Sequence, residues 1–124
     1  MLLVDDNEAM RARAAAVLAV TCVVVGQVQD GAAALTAAAR LQPDVIVLDI
    51  SMPGMSGLDV AVRLREAGSR AAIVFLTVHA DPEFVQAAQA AGAIGYVVKP
   101  RLASDLLHAV RDARARRPFV SPLL

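Results

Sequence analysis

Apolar positions along the chain follow two different periods. Short runs rich in Val, Ile and Leu recur at Leu2–Val4, Val23–Val25, Val45–Leu48, Ile73–Leu76 and Gly95–Val98. Such runs, bounded by turn residues, predict strands buried on both faces of a parallel sheet. Between them the apolar spacing becomes helical. Met10, Ala14, Val17 and Leu18 form one stripe behind the candidate cap Asn7, with Arg11 and Arg13 off it. After the turn signal Asp30-Gly31, alanine-rich Ala32–Leu41 predicts a second helix, stopped near Pro43. A third runs from Leu58 to Ala67 and is ended by Gly68. Asp81-Pro82-Glu83 opens a fourth with a capping acid, a first-turn proline and an acid at the positive end of the dipole; it stops near Gly92. Leu102, Leu106 and Val110 mark a fifth.

Strand and helix thus alternate five times. The pattern predicts an α/β domain, a doubly wound five-stranded parallel sheet with five helices on its two faces. Right-handed crossovers leave few topologies, and strand order 2-1-3-4-5 is a common one. The expected domain covers residues 1–117, with 118–124 (PFVSPLL) as an exit or linker segment.

Composition narrows the class. A chain of 124 residues that is 57% hydrophobic can bury a real core as one domain. Zero formal net charge gives no global attraction to nucleic acid or anionic membrane. The Ala14–Val25 run is too short to span a bilayer, which needs roughly 20 residues. Asp5, Asp6 and Glu8 stand where a secretory signal needs positive charge. The single cysteine, Cys22, fits a reducing compartment and reads as a small buried packing residue. A cytoplasmic location is expected. Arg111, Arg114, Arg116 and Arg117 read as a solvated helix end complementing the dipole, not as a DNA-contact patch.

One lysine, Lys99, stands among 12 basic residues. An ammonium is a compact point charge where a guanidinium is a wide fork, so a site needing a small cation beside an oxyanion could require it. Other polar residues also end strands: Asp5 and Asp6 after the first, Asp49 after the third and Thr77 after the fourth. In order 2-1-3-4-5 these ends share one edge of the sheet, where open α/β sheets place their ligand crevice. Three carboxylates there repel one another, and Mg²⁺ with oxygen ligands relieves this. A carboxylate beside such a cation can attack phosphorus and form an acyl phosphate, while Lys99 stabilises charge on the equatorial oxygens. The Thr77 hydroxyl can hydrogen-bond the phosphoryl group.

With these residues in place, the chain resembles the receiver domains of two-component response regulators. The resemblance runs from LLVDD through VIVLDISMPGMSG and FLTVHA to GYVVKP. It implies a flavodoxin-like (CheY-like) fold and a signalling phosphoacceptor, not an enzyme beyond its own autophosphorylation and autodephosphorylation. It implies that Asp49 accepts a phosphoryl group from a sensor histidine kinase. By the same resemblance Asp6 ligates Mg²⁺ directly, Asp5 helps through water, and the backbone carbonyl of Ser51 completes the protein ligands. Thr77 and Tyr96 match a switch pair, Lys99 a phosphate-contacting lysine, and Ser51 and His79 positions that tune phosphoryl lifetime. Pro100 matches a proline usually preceded by a cis peptide. The tail FVSPLL resembles the segment joining receivers to helix-turn-helix DNA-binding domains. DNA contact is therefore expected only through an output domain absent from this chain; membrane contact is not expected, and a homodimer stays open.

Two other readings remain. A phosphohydrolase of the haloacid dehalogenase type also uses Asp, Thr or Ser, Lys and Mg²⁺. Against it, Asp49-Ile50-Ser51 lacks a second Asp, the acid pair comes first, and no room is left for a substrate cap. A receiver that mediates protein interaction without phosphorylation is the second.

Overall fold

A computed structural model describes residues 1–123. The elements run β1 (Leu2–Val4), α1 (Glu8–Leu18), β2 (Gly26–Val28), α2 (Gly31–Leu41), β3 (Val45–Leu48), α3 (Gly57–Glu66), β4 (Ala72–Thr77), α4 (Pro82–Ala90), β5 (Gly95–Val98), α5 (Leu102–Arg114) and β6 (Phe119–Val120). A 3-10 turn over Lys99–Arg101 joins β5 to α5. The sheet order is β2-β1-β3-β4-β5-β6, and every pairing is parallel.

The five expected strands take the expected order, with two corrections. Val23–Val25 is not the second strand. Val23 and Val25 are exposed, and the strand forms three residues later at Gly26–Val28, in register with Leu2–Val4. Three β-branched residues favour extended backbone, but Gly26 fits beside Leu2 and Leu41, where a Cβ would be crowded. The second correction is the tail. Of the expected exit segment 118–124, Phe119 and Val120 pair with Gly95 and Tyr96 as a sixth strand, while Leu124 lies outside the described residues.

Alternation along the strands builds two cores. Leu2, Ile46, Leu48, Phe75 and Tyr96 face α2, α3 and α4; Leu3, Val45, Val47, Val74 and Val97 face α1 and α5. Burying each large aliphatic side chain contributes about 1.5–3 kcal/mol, and the central strands β3 and β4 are buried along their whole length. That rigidity holds the loops after the strands in place.

Helix ends follow the chain chemistry. Asn7, Asp30 and Ser56 cap α1, α2 and α3 by accepting from Met10, Ala33 and Asp59 backbone N–H groups. Gly68 and Gly92, both at positive φ, stop α3 and α4. Asp81 opens α4 with Pro82 behind it but makes no side-chain cap bond. Cys22 is half-buried, its Sγ 3.6 Å from Arg114 Nη1. The C-terminal arginines are less free than expected: Arg114 pairs with Asp44 at 2.8 Å, Arg116 donates to the Arg70 carbonyl at 2.7 Å, and Arg117 reaches Asp112 at 3.3 Å.

Candidate functional site at the carboxyl edge of the sheet

The loops after β1, β3, β4 and β5 converge on one acidic pocket. Asp5 and Asp49 are each 5% exposed, and Asp6 lies in solvent at the rim. One ligand oxygen from each of Asp5, Asp6 and Asp49 can be chosen so that all lie within 4.8 Å of one another. The local chain explains the placement. Asp49 N donates to the Val4 carbonyl at 3.0 Å, so β3 carries Asp49 up beside Asp5. The Asp5 carboxylate accepts from Asn7 N at 2.9 Å, and its carbonyl from Arg11 Nη1 at 2.6 Å. Behind Asp49 the chain packs so closely that a Cβ on Gly57 would overlap the Asp49 carbonyl oxygen. Gly57 N donates to the Ile50 carbonyl at 2.7 Å there.

Lys99 bridges the pocket. Its Nζ lies 2.9 Å from Asp5 Oδ2 and 3.0 Å from Asp49 Oδ2. Asp49 Oδ1 accepts from Ile50 N at 2.7 Å. Burial pushes the Asp49 carboxyl above its ordinary range; Lys99 pulls it down, Asp5 adds to the rise, and the net shift is upward. Burial acts to lower Lys99, but its bonds to Asp5 and Asp49 prevail and raise it. The two shifts agree physically: one ammonium cannot neutralise three carboxylates. Asp5 Oδ2 is buried, and the shared Lys99 ammonium at 2.9 Å is its one close cation. A buried carboxylate oxygen that shares its ammonium and faces two further carboxylates, with ligand oxygens within 4.8 Å of one another, matches the donor set of a hard divalent cation. The residues present fit Mg²⁺, with Asp5, Asp6 and Asp49 as the carboxylates to hold it.

Thr77, Tyr96, His79 and Ser51 line the next turn of the pocket. Thr77 is fully buried and its Oγ1 accepts from His79 N at 3.3 Å. The Tyr96 ring is turned inward, and its hydroxyl donates to the His79 carbonyl at 2.7 Å. Burial, then Asp81 and Asp49, push the Tyr96 phenol up to about 12. The His79 ring stacks on Phe84, centroids 4.1 Å apart, and its Nε2 lies 2.6 Å from Ser51 Oγ. Ser51 and His79 thus touch across the mouth of the pocket, a contact not legible from two residues 28 positions apart. The Lys99–Pro100 bond is trans, correcting the expected cis peptide. Pro100 sits inside the 3-10 turn entering α5, whose helical backbone the fixed negative φ of proline suits.

Asp105 and Ser121, buried and hydrogen-bonded to each other beside β5, are not among the strand-ending residues that the sequence pattern marks. A signal for Asp105 was available: it falls on the Leu102–Leu106–Ala109–Ala113 buried face of α5. An acid on such a face needs a partner.

A doubly wound sheet with an acid pocket suited to Mg²⁺ and a lysine across it defines a phosphoacceptor signalling module. The response regulator receiver domain model matches residues 1–111, and the chain belongs to that family. It is 40% identical over 101 residues to the transcriptional regulatory protein YvfU of Bacillus subtilis, covering 82% of this chain and 50% of that protein. It is 42% identical over 113 residues to the nitrate/nitrite response regulator NarP of Escherichia coli, covering 90% of this chain and 53% of that one. Among solved structures, the signal receiver domain of NarL from Mycobacterium tuberculosis superposes with a TM-score of 0.89 at 32% identity, covering 94% of this chain and 95% of that one. The chain spans about half the length of the curated relatives it matches. Family membership leaves the haloacid dehalogenase reading without support. Among the described residues, no helix is long and apolar enough to cross a membrane.

Proposed function

We propose that this chain is a phosphorylation switch in which Asp49 takes a phosphoryl group from the phosphohistidine of a sensor kinase. A carboxylate oxygen of Asp49 attacks phosphorus, the P–N bond breaks, and its electron pair returns to the imidazole, leaving an acyl phosphate. Water later attacks the same phosphorus and releases phosphate with the Asp49 carboxylate restored. Asp5, Asp6 and Asp49, with the Ser51 carbonyl, would hold Mg²⁺, which would supply charge neutralisation on the phosphoryl oxygens. Lys99 exchanges its contact with the carboxylate for one with the phosphoryl group. Thr77 and Tyr96 form the switch: the Thr77 hydroxyl turns to the phosphoryl oxygens and gives up the His79 amide. Tyr96, bound to the same residue's carbonyl, follows. Ser51 and His79, hydrogen-bonded across the mouth, control how water reaches the acyl phosphate. Residues 1–117 form the body of the receiver, with Phe119, Val120 and Ser121 docked on its β5 edge. The relatives' names as transcriptional and response regulators support a transcriptional output acting through chain outside this sequence, with DNA contacted there.

The observation that carries the reading is Lys99 Nζ within 3.0 Å of both Asp5 and Asp49, with Asp6 beside them. The test is intact-mass analysis after acetyl phosphate and Mg²⁺. Wild type gains one phosphoryl group and Asp49→Asn gains none; equal labelling of the two removes Asp49 as acceptor, and no labelling of wild type favours a phosphorylation-independent receiver. His79→Ala changes the decay rate several-fold, and equal decay removes His79 from lifetime control.

A further inference from the structure

The C-terminal segment is built into the pocket's β5 wall. Strand β5 is paired along one side with β4, whose last pair is Thr77 with Val98. On its other side β6 is two residues long and reaches only Gly95 and Tyr96. The ladder continues through one residue beyond β6. Ser121 N donates to the Tyr96 carbonyl at 2.8 Å, and Val98 N donates to Ser121 Oγ at 3.3 Å. Ser121 is 1% exposed, so its hydroxyl supplies that rung where no solvent does. Its own proton goes to Asp105 Oδ2 at 2.7 Å. Asp105 is held in turn by Arg101 Nε at 2.8 Å and Nη2 at 3.3 Å, and by Ser104 Oγ at 3.0 Å.

The chain positions of these groups give the network its meaning. Val98 directly precedes Lys99, and Arg101 stands two residues after it. The network therefore ties the Val98 amide on one side of the lysine that bridges Asp5 and Asp49, and the Arg101 side chain on the other. Merely fastening the tail would need only the backbone pairs at Gly95 and Tyr96. A buried hydroxyl with an acceptor duty to Val98 and a donor duty to a buried carboxylate does more, because it fixes where the strand ends.

Resting on the phosphoacceptor reading above, we infer that Ser121 and Asp105 are positioning residues for phosphoryl acceptance: the docked C-terminal segment holds Lys99 in register with Asp49. Loss of the Ser121 hydroxyl leaves Val98 N–H without an acceptor, and the β5 end is then held from the β4 side alone. Small displacements of a charge-stabilising group are expensive in rate, up to about a hundredfold for 1 Å.

The test compares wild type, Ser121→Ala, Ser121→Thr and Asp105→Asn by phosphorylation with acetyl phosphate and by the NMR signal of the Lys99 ammonium without Mg²⁺. Arg114→Ala, which breaks an ion pair at the opposite end of the sheet, is the control for general destabilisation. Ser121→Ala is expected to slow labelling about tenfold and move the Lys99 signal toward that of a free lysine. Asp105→Asn acts in the same direction, and Ser121→Thr restores both readings through its hydroxyl. Wild-type labelling and an unmoved Lys99 signal in Ser121→Ala overturn the inference, as does an equal effect of Arg114→Ala. If wild type takes no phosphoryl group, the phosphoacceptor reading fails, while the Lys99 signal still decides whether the clamp positions the lysine.

Discussion

Two buried carboxylates, Asp49 and Asp105, lie on either side of strand β5 and are treated oppositely by the fold. Both are 5% exposed. Asp105 has a guanidinium and two hydroxyls of its own, and the Arg101 bond holds its carboxyl below the ordinary range against the effect of burial. Asp49 shares one ammonium with Asp5 and has Asp6 nearby; burial prevails and its carboxyl rises. The difference separates an acid satisfied within the chain from one that is not. Asp105 is satisfied within the chain and needs nothing further. Asp49 sits in a pocket with more negative charge than the protein itself neutralises, the electrostatic setting of the proposed cation and phosphoryl-acceptor site.

The sharpest way to break that contrast is Lys99→Ala. Without Mg²⁺ it strands two buried carboxylates and should cost about 3 kcal/mol in urea unfolding. Millimolar Mg²⁺ should recover much of this, and should do far less for Asp105→Asn. Equal Mg²⁺ effects on the two variants would mean that the pocket is not the deficient one.

Asp105→Asn should cost about 1–2 kcal/mol at neutral pH through lost hydrogen bonds, with or without Mg²⁺. Its pH dependence has a definite sign. A carboxyl held below its unfolded value of 3.8 contributes stability that is complete above that value and is lost as pH falls through its folded one. The gap between wild type and Asp105→Asn in urea midpoint should therefore close in acid. A gap that stays constant to the acid limit would show that charge is not what Asp105 contributes.

Asp49→Asn should have the opposite and smaller effect. For a carboxyl raised above its unfolded value, the stability contribution is present below that value and lost as pH rises through the folded one. Removing the charge should raise the melting temperature by a few degrees at neutral pH in the absence of Mg²⁺, and the gain should shrink when Mg²⁺ is added. A variant less stable than wild type without the metal would place Asp49 with Asp105 as a satisfied acid.

The smallest effect falls on Tyr96, whose phenol should titrate near 12 by ultraviolet absorbance, partly because Asp49 is charged. The midpoint should move down slightly in Asp49→Asn. An ordinary midpoint near 10 in wild type would mean that the ring does not stay buried.

Much of this molecule was determined by local sequence. Val45–Leu48 is a buried strand because a short unbroken apolar run rich in β-branched residues favours extended backbone between Pro43 and the Pro53-Gly54 turn. Asp5, Asp6, Asp49, Thr77 and Lys99 were legible because parallel strands all point one way, so strand-ending residues meet at one edge. Tertiary structure decided the rest. Val23–Val25 has the better strand residues, yet the pairing goes to Gly26–Val28, because the register with β1 and the close approach of Leu41 outweigh propensity. Residues 118–123 carry turn-rich, exit-like chemistry, and only the free edge of β5 and the Ser121–Asp105 bond make a strand of part of them. The Ser51–His79 bridge and the trans Lys99–Pro100 bond were likewise beyond local reading. Hydrophobic period and turn chemistry act within a few residues of chain. Register, edge pairing and the partner of a buried acid depend on groups that become neighbours only when the sheet has closed.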